Sequence, residues 1–362
     1  MERRSFIKHT GLAGILAASS APVFAQSAPE VKWRLASSFP KSLDTIFGAA
    51  ETISKRVAAA TDNKFQIQVF AGGEIVPAFG VVDAVQNATV QCAHTAPYYF
   101  FGKDPTFALA CALPFGMNVR QQNAWMYHGG GLQLMREFFK DYNIINFPAG
   151  NTGSQMGGFF RKEIKTPADF KGLRIRAAGF LGHVYTKLGA VPQQLPASDI
   201  YPALEKGTID AVEWVGPADD EKLGLAKVAK FYYSPGVLER GASLCLTVAK
   251  PAWEALPASY KAALEAACFQ ASTDMLAKYD ATNVPALRRL VGSGAKLNSW
   301  SRPIMDAMRR ANDEVMKEQS AANESFRKVY DHWSKFLADQ VLWSSVNDGA
   351  AEQFMNSAAR KA

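Results

Sequence analysis

Short segments in which apolar and polar residues alternate recur along the first third of the chain, and helical patterns separate them. In the first segment Val31, Trp33 and Leu35 face one way and basic residues lie between them, which is typical of a half-buried strand. The same pattern predicts, in order, a helix over 43–59, a strand over 65–69, a helix over 79–86 and a strand over 88–95. Strands and helices that alternate at this spacing indicate an α/β unit with a largely parallel sheet.

The α/β pattern begins again in the second third of the chain. Thr166 followed by Pro167 predicts a helix start, and Ser198 predicts another, for a helix that ends near Lys206. Apolar runs predict strands over 158–160, 173–176, 209–215 and 242–248. We therefore predict two α/β lobes, the first formed by 28–150 together with about 242–302, and the second by 151–241. Two such lobes enclose a cleft, which is a favoured place for a ligand.

The last third of the chain has a helical pattern. Residues 257–284 predict one helix, and residues 304–348 contain neither proline nor glycine over 45 positions. That length predicts two or three helices or one very long helix. Since a helix that overhangs its own domain needs a partner surface, we expect the C-terminal helical segment, residues 303–362, to support dimerisation.

The N-terminus has the features of an export signal. Arg3 and Arg4 form a twin-arginine pair, an uncharged stretch of small and apolar residues follows over 11–25, and Ala25 ends a small-residue cleavage pattern. We predict that residues 1–25 are a twin-arginine signal peptide and that the mature protein is periplasmic. A poor N-terminal membrane anchor is the alternative.

Charge and metal-ligating residues narrow the function classes. The formal net charge is +7, and removal of Arg3, Arg4, Lys8 and Glu2 with the signal gives +7 − 3 + 1 = +5. A mild positive excess suits an anionic ligand, whereas the absence of a basic block argues against nucleic acid. The histidines have no zinc-binding spacing. The four cysteines form no C-x-x-C pair, so buried thiols are favoured and one disulfide stays open.

The glycine-rich segment over 150–158 offers both accessible backbone groups and side-chain amides. Four glycines in nine residues let the backbone approach a ligand closely, and Asn151 and Gln155 supply side-chain amides. A crossover loop between the lobes would have a similar composition. Both interpretations stay open from the residues alone.

Charged side chains also lie among apolar strand residues. Arg174 and Arg176 fall on the same face of a predicted strand, and Arg176 is at its carboxyl end, where a guanidinium could grip a carboxylate. Glu213 lies in an apolar strand beside Trp214, so it needs a partner such as an arginine, a cation or a ligand. A structural ion pair is the alternative for each of these charges.

Together these segments carry a resemblance to a known family. They occur with Leu113-Pro114-Phe115-Gly116 and with Thr166-Pro167-Ala168-Asp169-Phe170-Lys171-Gly172-Leu173. The mature chain resembles the DctP-type solute-binding proteins of tripartite ATP-independent periplasmic (TRAP) transporters. The segments over 150–158 and 213–217 are most similar to the subgroup that binds 2-oxo acids. The resemblance implies a two-lobed periplasmic binding protein with its ligand cleft between the lobes.

The resemblance also implies roles for individual residues. Arg176 would take the substrate carboxylate, and a metal ion beside the ligand would be bound by the side chains of Gln155 and Glu213 and the carbonyl of Trp214. Oxygen ligands suit Na⁺ or Ca²⁺ rather than zinc. Glu239 is a further candidate at the metal. Additional substrate contacts are expected from three residues whose roles are less sharply defined: Asn151, Tyr98 and Tyr99.

The function expected from the resemblance is capture of a small 2-oxo or 2-hydroxy monocarboxylate, of the pyruvate, 2-oxobutyrate or lactate type, and its delivery to TRAP membrane permease subunits. The family subgroup also implies a homodimer with swapped helices. The alternatives are a secreted metal-dependent enzyme acting on such acids, a binding protein for another acid such as a dicarboxylate, and a receptor for a sensor kinase. We expect no enzymatic activity, because no histidine or spare acid with a catalytic motif accompanies the predicted metal site.

Overall fold

The computed structural model describes residues 29–359, and its strands form two sheets. The predicted twin-arginine signal over 1–25 lies outside the described residues. The strands are β1 (Val31–Ser37), β2 (Phe65–Phe70), β3 (Cys92–Thr95), β4 (Ile144–Asn151), β5 (Gly158–Phe160), β6 (Arg174–Arg176), β7 (Val191–Gln193), β8 (Ala211–Val212), β9 (Phe231–Ser234), β10 (Ser243–Ala249) and β11 (Lys296–Ser299).

Helices cover the sheets and make up the C-terminal part of the chain. They are α1 (Ile46–Ala60), α2 (Val81–Gln86), α3 (Val119–Tyr127), α4 (Gly131–Lys140), α5 (Gly179–Lys187), α6 (Ala197–Glu205), α7 (Pro217–Lys222), α8 (Leu225–Val228), α9 (Lys250–Glu254), α10 (Ala258–Gly292), α11 (Arg302–Ala322), α12 (Glu324–Val346) and α13 (Asp348–Ala359). Short 3-10 helices occupy Pro97–Phe100, Pro105–Ala110 and Pro167–Phe170. Within residues 29–359 no helix combines the length and the apolar composition needed to cross a bilayer.

The two sheets correspond to two lobes. The first sheet has the order β2-β1-β3-β10-β4, in which β1 is parallel to β2 and β3 while β10 is antiparallel to β3 and β4. The second has the order β11-β9-β5-β8-β6-β7. The chain leaves the first sheet at the end of β4 and returns to it through β10. The predicted α/β class and the long C-terminal helices are confirmed.

One boundary of the predicted lobes does not agree with the sheet pairing. Residues 242–302 were assigned to the first lobe, but β11 pairs in parallel with β9 and so belongs to the second sheet. Strand β11 is short and largely exposed, so it has no long apolar run. Its residues therefore did not indicate which sheet it would join. Helix α10 connects the lobes, because it packs against α1 and β4 of the first lobe and against α7 of the second.

The C-terminal helical segment divides into separate helices at asparagines. Asn323 ends α11 with an extended backbone, and its side chain accepts a hydrogen bond from Phe326 N at 2.8 Å, so it is the N-cap of α12. Helix α11 packs against α5 of the second lobe, whereas α12 packs against α4 and Pro105–Ala110 of the first. The segment therefore covers both lobes.

Two predicted helix starts had different outcomes. Thr166 and Asp169 form the capping box expected of a helix start, but the helix is a single 3-10 turn. The prediction of Ser198 as an N-cap was wrong, because α6 begins at Ala197 after Pro196 and Ser198 lies in its first turn. Proline at 196 fixes the extended backbone that precedes the helix.

Candidate functional site

Arg176 lies at the carboxyl end of β6 and is buried, with 2% of its surface exposed. Its Nε donates to the carbonyl of Leu195 at 3.1 Å and its Nη1 donates to the carbonyl of Glu213 at 2.6 Å. The guanidinium carbon lies 4.6 Å from the ring centroid of Trp214, a cation–π distance. Nη2 has no hydrogen-bond partner among the described residues. A buried guanidinium with one free nitrogen is suited to receive an anion.

Arg174 lies two residues earlier on the same strand and has a different environment. Its side chain is 44% exposed and forms two hydrogen bonds with the Asp210 carboxylate, from Nε at 2.8 Å and from Nη2 at 2.6 Å. This bidentate pair satisfies the guanidinium. The alternative reading of Arg174 as a structural salt bridge agrees with this geometry.

Glu213 follows β8 and lies against Arg176. Its Oε2 is 3.9 Å from Arg176 Nη1, and its Oε1 has no partner among residues 29–359. Burial, with a further contribution from the negative charge of Glu239, raises the pKa of Glu213 well above its usual value, although Arg176 opposes the shift. One buried guanidinium is therefore shared by more than one buried acid.

Glu239 is the second of these acids and comes from the segment that precedes β10. The Tyr98 hydroxyl donates to its Oε2 at 3.3 Å across the two lobes. Burial raises the pKa of Glu239 to about 7, while the charge of Arg176 and hydrogen bonds from Tyr98 and Gln155 lower it. Because burial raises both pKa values, the site holds two carboxyl groups beside one guanidinium, and a bound cation would let both of them ionise next to an incoming carboxylate.

The glycine-rich segment supplies the amides. Gln155 Nε2 donates to Thr152 Oγ1 at 3.1 Å, which leaves Gln155 Oε1 without a partner in the described part of the chain. Asn151 Oδ1 accepts from Gly153 N at 2.9 Å, and its Nδ2 is unpaired among the same residues. Only glycine fits at position 158, because a Cβ there would lie 2.4 Å from the Val212 carbonyl oxygen. Gly158 therefore lets this segment pack directly on β8.

The first lobe contributes two tyrosines from the 3-10 helix Pro97–Phe100. Tyr98 and Tyr99 are buried, with ring centroids 5.2 Å apart. Burial raises the pKa of Tyr99, and the neighbouring Arg176 charge only partly opposes this, so Tyr99 stays a neutral donor. Tyr98 and Tyr99 of the first lobe thus lie beside Glu239 and Arg176 of the second.

The unpaired atoms define what the site can bind. Among the residues described above, the unpaired donors are Arg176 Nη2 and Asn151 Nδ2, and the unpaired oxygen acceptors are Gln155 Oε1 and Glu213 Oε1. A carboxyl oxygen and an amide oxygen suit a hard cation such as Na⁺ or Ca²⁺. No group of three or more His, Cys, Asp or Glu side chains suited to a metal occurs in residues 29–359. A cation here would therefore need the mixed set of amide, carbonyl and carboxylate oxygens.

The structure adds residues that the sequence analysis did not select. The carbonyl of Leu195 fixes Arg176, but a backbone acceptor gives no signal in a sequence. Asp219 and Asp220, in the first turn of α7, are both buried. Burial raises the pKa of Asp219 to about 6 and that of Asp220 to about 7. Acids in a first turn are usually solvated, so their pattern gave no indication of burial.

The fold and this site define a class of extracellular ligand-binding protein, and the family match agrees with it. The family model described as bacterial extracellular solute-binding protein, family 7 (DctP) matches residues 36–323. The chain belongs to this family of TRAP transporter solute-binding proteins. It is 47% identical over 329 residues, which cover 91% of the chain and 90% of the relative, to the monocarboxylate 2-oxoacid-binding periplasmic protein of Nostoc sp. (strain PCC 7120).

Solved structures of related proteins have the same fold. A TRAP transporter solute binding protein from Bordetella bronchiseptica RB50 is 50% identical with a TM-score of 0.91, over 92% of this chain and 99% of that one; it is described as a mixed occupancy dimer with copurified calcium and picolinate in its occupied site. A relative from Colwellia psychrerythraea with bound calcium and pyruvate is 33% identical with a TM-score of 0.86, over 90% of this chain and 99% of that one. Another relative, from Pseudoalteromonas atlantica T6c with bound sodium and pyruvate, is 37% identical with a TM-score of 0.85, over 90% of this chain and 99% of that one.

Proposed function

We propose that this protein binds a small 2-oxo monocarboxylate, of the pyruvate type, together with a Na⁺ or Ca²⁺ ion in the cleft between its lobes. The observation that carries the proposal is the buried Arg176, whose unpaired Nη2 lies in one cluster with the acids Glu213 and Glu239. Two buried carboxyl groups share one guanidinium there, and a cation bound together with the anion would stabilise both in their ionised form. The bound acids and cations of the Colwellia and Pseudoalteromonas relatives support this reading.

Arg176 is the proposed anchor for the carboxylate. Its other two hydrogen bonds, to the carbonyls of Leu195 and Glu213, hold one edge of the guanidinium in place before a ligand arrives. A pre-oriented donor loses little conformational entropy on binding. The tyrosines Tyr98 and Tyr99 and the amide of Asn151 are proposed to complete the polar contacts of the substrate, and Trp214 to form a wall of the pocket.

The cation would be held by the side-chain oxygens of Gln155 and Glu213 and by the backbone carbonyl of Trp214, with Glu239 as a further carboxylate nearby. When bound, such a cation supplies positive charge to the carboxylate and the adjacent oxo group of the ligand. That charge offsets the second buried acid. The same logic disfavours a ligand with two carboxylates, because it would add a further negative charge to the cluster.

The remaining steps of the function follow from the family. We propose that the mature protein acts in the periplasm after export by the twin-arginine route, and that it delivers its ligand to TRAP membrane permease subunits without catalysing a reaction. A second copy of the chain is the proposed partner of the C-terminal helices. They expose large apolar side chains at Val341, Leu342, Trp343, Val346, Phe354 and Met355.

A ligand panel tests this proposal. Protein that has been unfolded and refolded to remove bound ligand is titrated calorimetrically, at saturating Ca²⁺ or Na⁺, with pyruvate, longer 2-oxo acids, lactate and succinate. We expect binding of one or more of the 2-oxo monocarboxylates and no comparable binding of succinate. Binding of succinate alone, or of no acid in the panel, would contradict the proposed ligand class.

A further inference from the structure

A chain of buried contacts runs from α10 to the proposed anion site. Tyr279 of α10 donates its hydroxyl to Asp219 Oδ2 at 2.7 Å, and Trp214 Nε1 donates to the same oxygen at 3.4 Å. The Trp214 ring in turn lies against the guanidinium of Arg176, 4.6 Å from its carbon. None of these four side chains exposes more than 4% of its surface. The contacts therefore link the arginine to α10.

The geometry of the Asp219 carboxylate determines where the indole lies. Two donors from different elements converge on one carboxylate oxygen, while the other oxygen, Oδ1, has no partner among the described residues. A buried carboxylate that is only half satisfied is costly, and an apolar residue of similar size would avoid this cost. What an apolar residue could not provide is an acceptor that fixes Trp214 Nε1.

The indole matters because the guanidinium lies over its ring. Hydrogen bonds to the carbonyls of Leu195 and Glu213 hold two nitrogens of Arg176 along its edge, but they permit the plane to tilt. The guanidinium carbon lies over the Trp214 ring, 4.6 Å from its centroid, so the ring restricts this tilt. A change in the tilt would move Nη2, the nitrogen that is left for the ligand.

We propose that Asp219 and Tyr279 are positioning residues for anion binding, which hold Trp214 against Arg176 so that Nη2 keeps its orientation toward the cleft. This inference rests on the proposed function, because it takes Arg176 as the anchor of the ligand carboxylate. Helix α10 packs on α1 and β4 of the first lobe and on α7 of the second. Through Asp219 and Trp214, Tyr279 therefore couples the orientation of Arg176 to a helix that contacts both lobes.

A double-mutant cycle tests the coupling. Pyruvate affinity at saturating Ca²⁺ is measured for the wild type, Tyr279→Phe, Trp214→Phe and the double variant. Tyr279→Phe should weaken binding about fivefold to tenfold in the wild type, the usual effect of one buried hydrogen bond, and less than about twofold when Trp214 is already phenylalanine. Equal losses in both backgrounds would overturn the proposal, since Tyr279 would then act independently of Trp214.

A control on the same helix separates positioning from general destabilisation. Tyr260 is buried near the start of α10, and its hydroxyl donates to the Pro29 carbonyl at 2.9 Å. Tyr260→Phe removes one hydroxyl contact from α10 but should leave pyruvate affinity unchanged. A loss as large as that of Tyr279→Phe would show that any weakening of α10 reduces binding and would overturn the positioning role.

A spectroscopic measurement tests the inference without any ligand. The contribution of Trp214 to the near-ultraviolet circular dichroism is obtained by subtracting the Trp214→Phe spectrum. It should change in Tyr279→Phe and Asp219→Leu, and Asp219→Asn should preserve it, because asparagine keeps an acceptor oxygen. If the wild type bound no 2-oxo acid, the proposed function would fail, yet this spectrum would still decide the positioning role. An unchanged spectrum in Asp219→Leu would overturn it.

Discussion

Arg176 and Arg174 show how two residues of the same type on one strand acquire different properties. Arg174 is exposed and satisfied by Asp210, whereas Arg176 is buried and retains a free nitrogen. The alternation of the strand indicated that both would face the same way, and the position of Arg176 at the strand end indicated which one could meet a ligand. The roles of Leu195 and of the buried Asp219 could not be predicted, because they depend on contacts between distant segments.

Replacement of Arg176 tests its role as anchor. Arg176→Ala should weaken pyruvate binding about 100-fold or more, because it removes the charged donor and leaves the acids Glu213 and Glu239 without their shared counterion. Arg174→Ala is the matched control and should bind like the wild type. Calorimetric affinities of the two variants within a few-fold of each other would contradict the assignment.

Glu213 should affect the choice of cation more than the affinity for the acid itself. Glu213→Gln keeps an oxygen ligand but removes one negative charge from the cluster. We expect Ca²⁺-supported pyruvate binding to fall about tenfold or more and Na⁺-supported binding to fall less, because a divalent ion depends more strongly on carboxylate charge. Titrations of the variant in each cation measure this difference. Equal losses in both would argue against Glu213 as a cation ligand.

At the scale of elements, apolar periodicity predicted the strands and helices but not their ends. The strand predicted over 209–215 is shorter in the structure, where β8 comprises Ala211 and Val212, although Glu213 N still donates to the Arg176 carbonyl at 3.0 Å. The uninterrupted stretch over 304–348 was compatible with one long helix. The side chain of Asn323 competes for the backbone and breaks it, an effect that depends on cap geometry rather than on composition.

Strand β3 contains a histidine whose burial should make stability depend on pH. Burial lowers the pKa of His94 to about 4, and its Nε2 lies 2.9 Å from the Ala149 carbonyl oxygen. The unfolded imidazole has a pKa near 6.5, so it binds a proton that the folded protein excludes. Its contribution to the free energy of unfolding is thus complete above about pH 6.5 and falls by about 3 kcal/mol as the pH drops to about 4.

Urea denaturation of the wild type and His94→Gln between pH 4.5 and 6.5 measures this contribution. We expect the free energy of unfolding to fall less steeply with decreasing pH in the variant, which has no imidazole to protonate. Buried acids with raised pKa values, such as Asp220, change stability in the opposite direction and are common to both proteins. Identical slopes would show that His94 does not titrate on unfolding.

At the scale of the whole molecule, substitutions on the exposed apolar surface of the C-terminal helices test the proposed self-association. Leu342 and Trp343 on α12 are 69% and 56% exposed, and large exposed apolar side chains also occur on α13. Leu342→Glu should shift sedimentation from dimer to monomer. Val284→Glu, at an exposed apolar position on α10, is the control and should not. A monomeric wild type, or a dimer unaffected by Leu342→Glu, would contradict this surface as the interface.

The lobes, the family and the position of the cleft could be anticipated because they depend on periodicity and on contiguous motifs. The membership of β11 in the second sheet and the spread of the C-terminal helices over both lobes could not, because both depend on contacts between distant parts of the chain. The charge balance of the site likewise requires the structure, which shows how Arg176, Glu213 and Glu239 come together.

The central claim is that anion and cation bind together in one cluster. The most direct test is to measure pyruvate affinity in cation-free protein and then over a series of Ca²⁺ or Na⁺ concentrations. We expect weak binding without cation and an affinity that rises with cation concentration until it saturates, as linkage requires. Pyruvate affinity that is high and independent of added cation would contradict the claim.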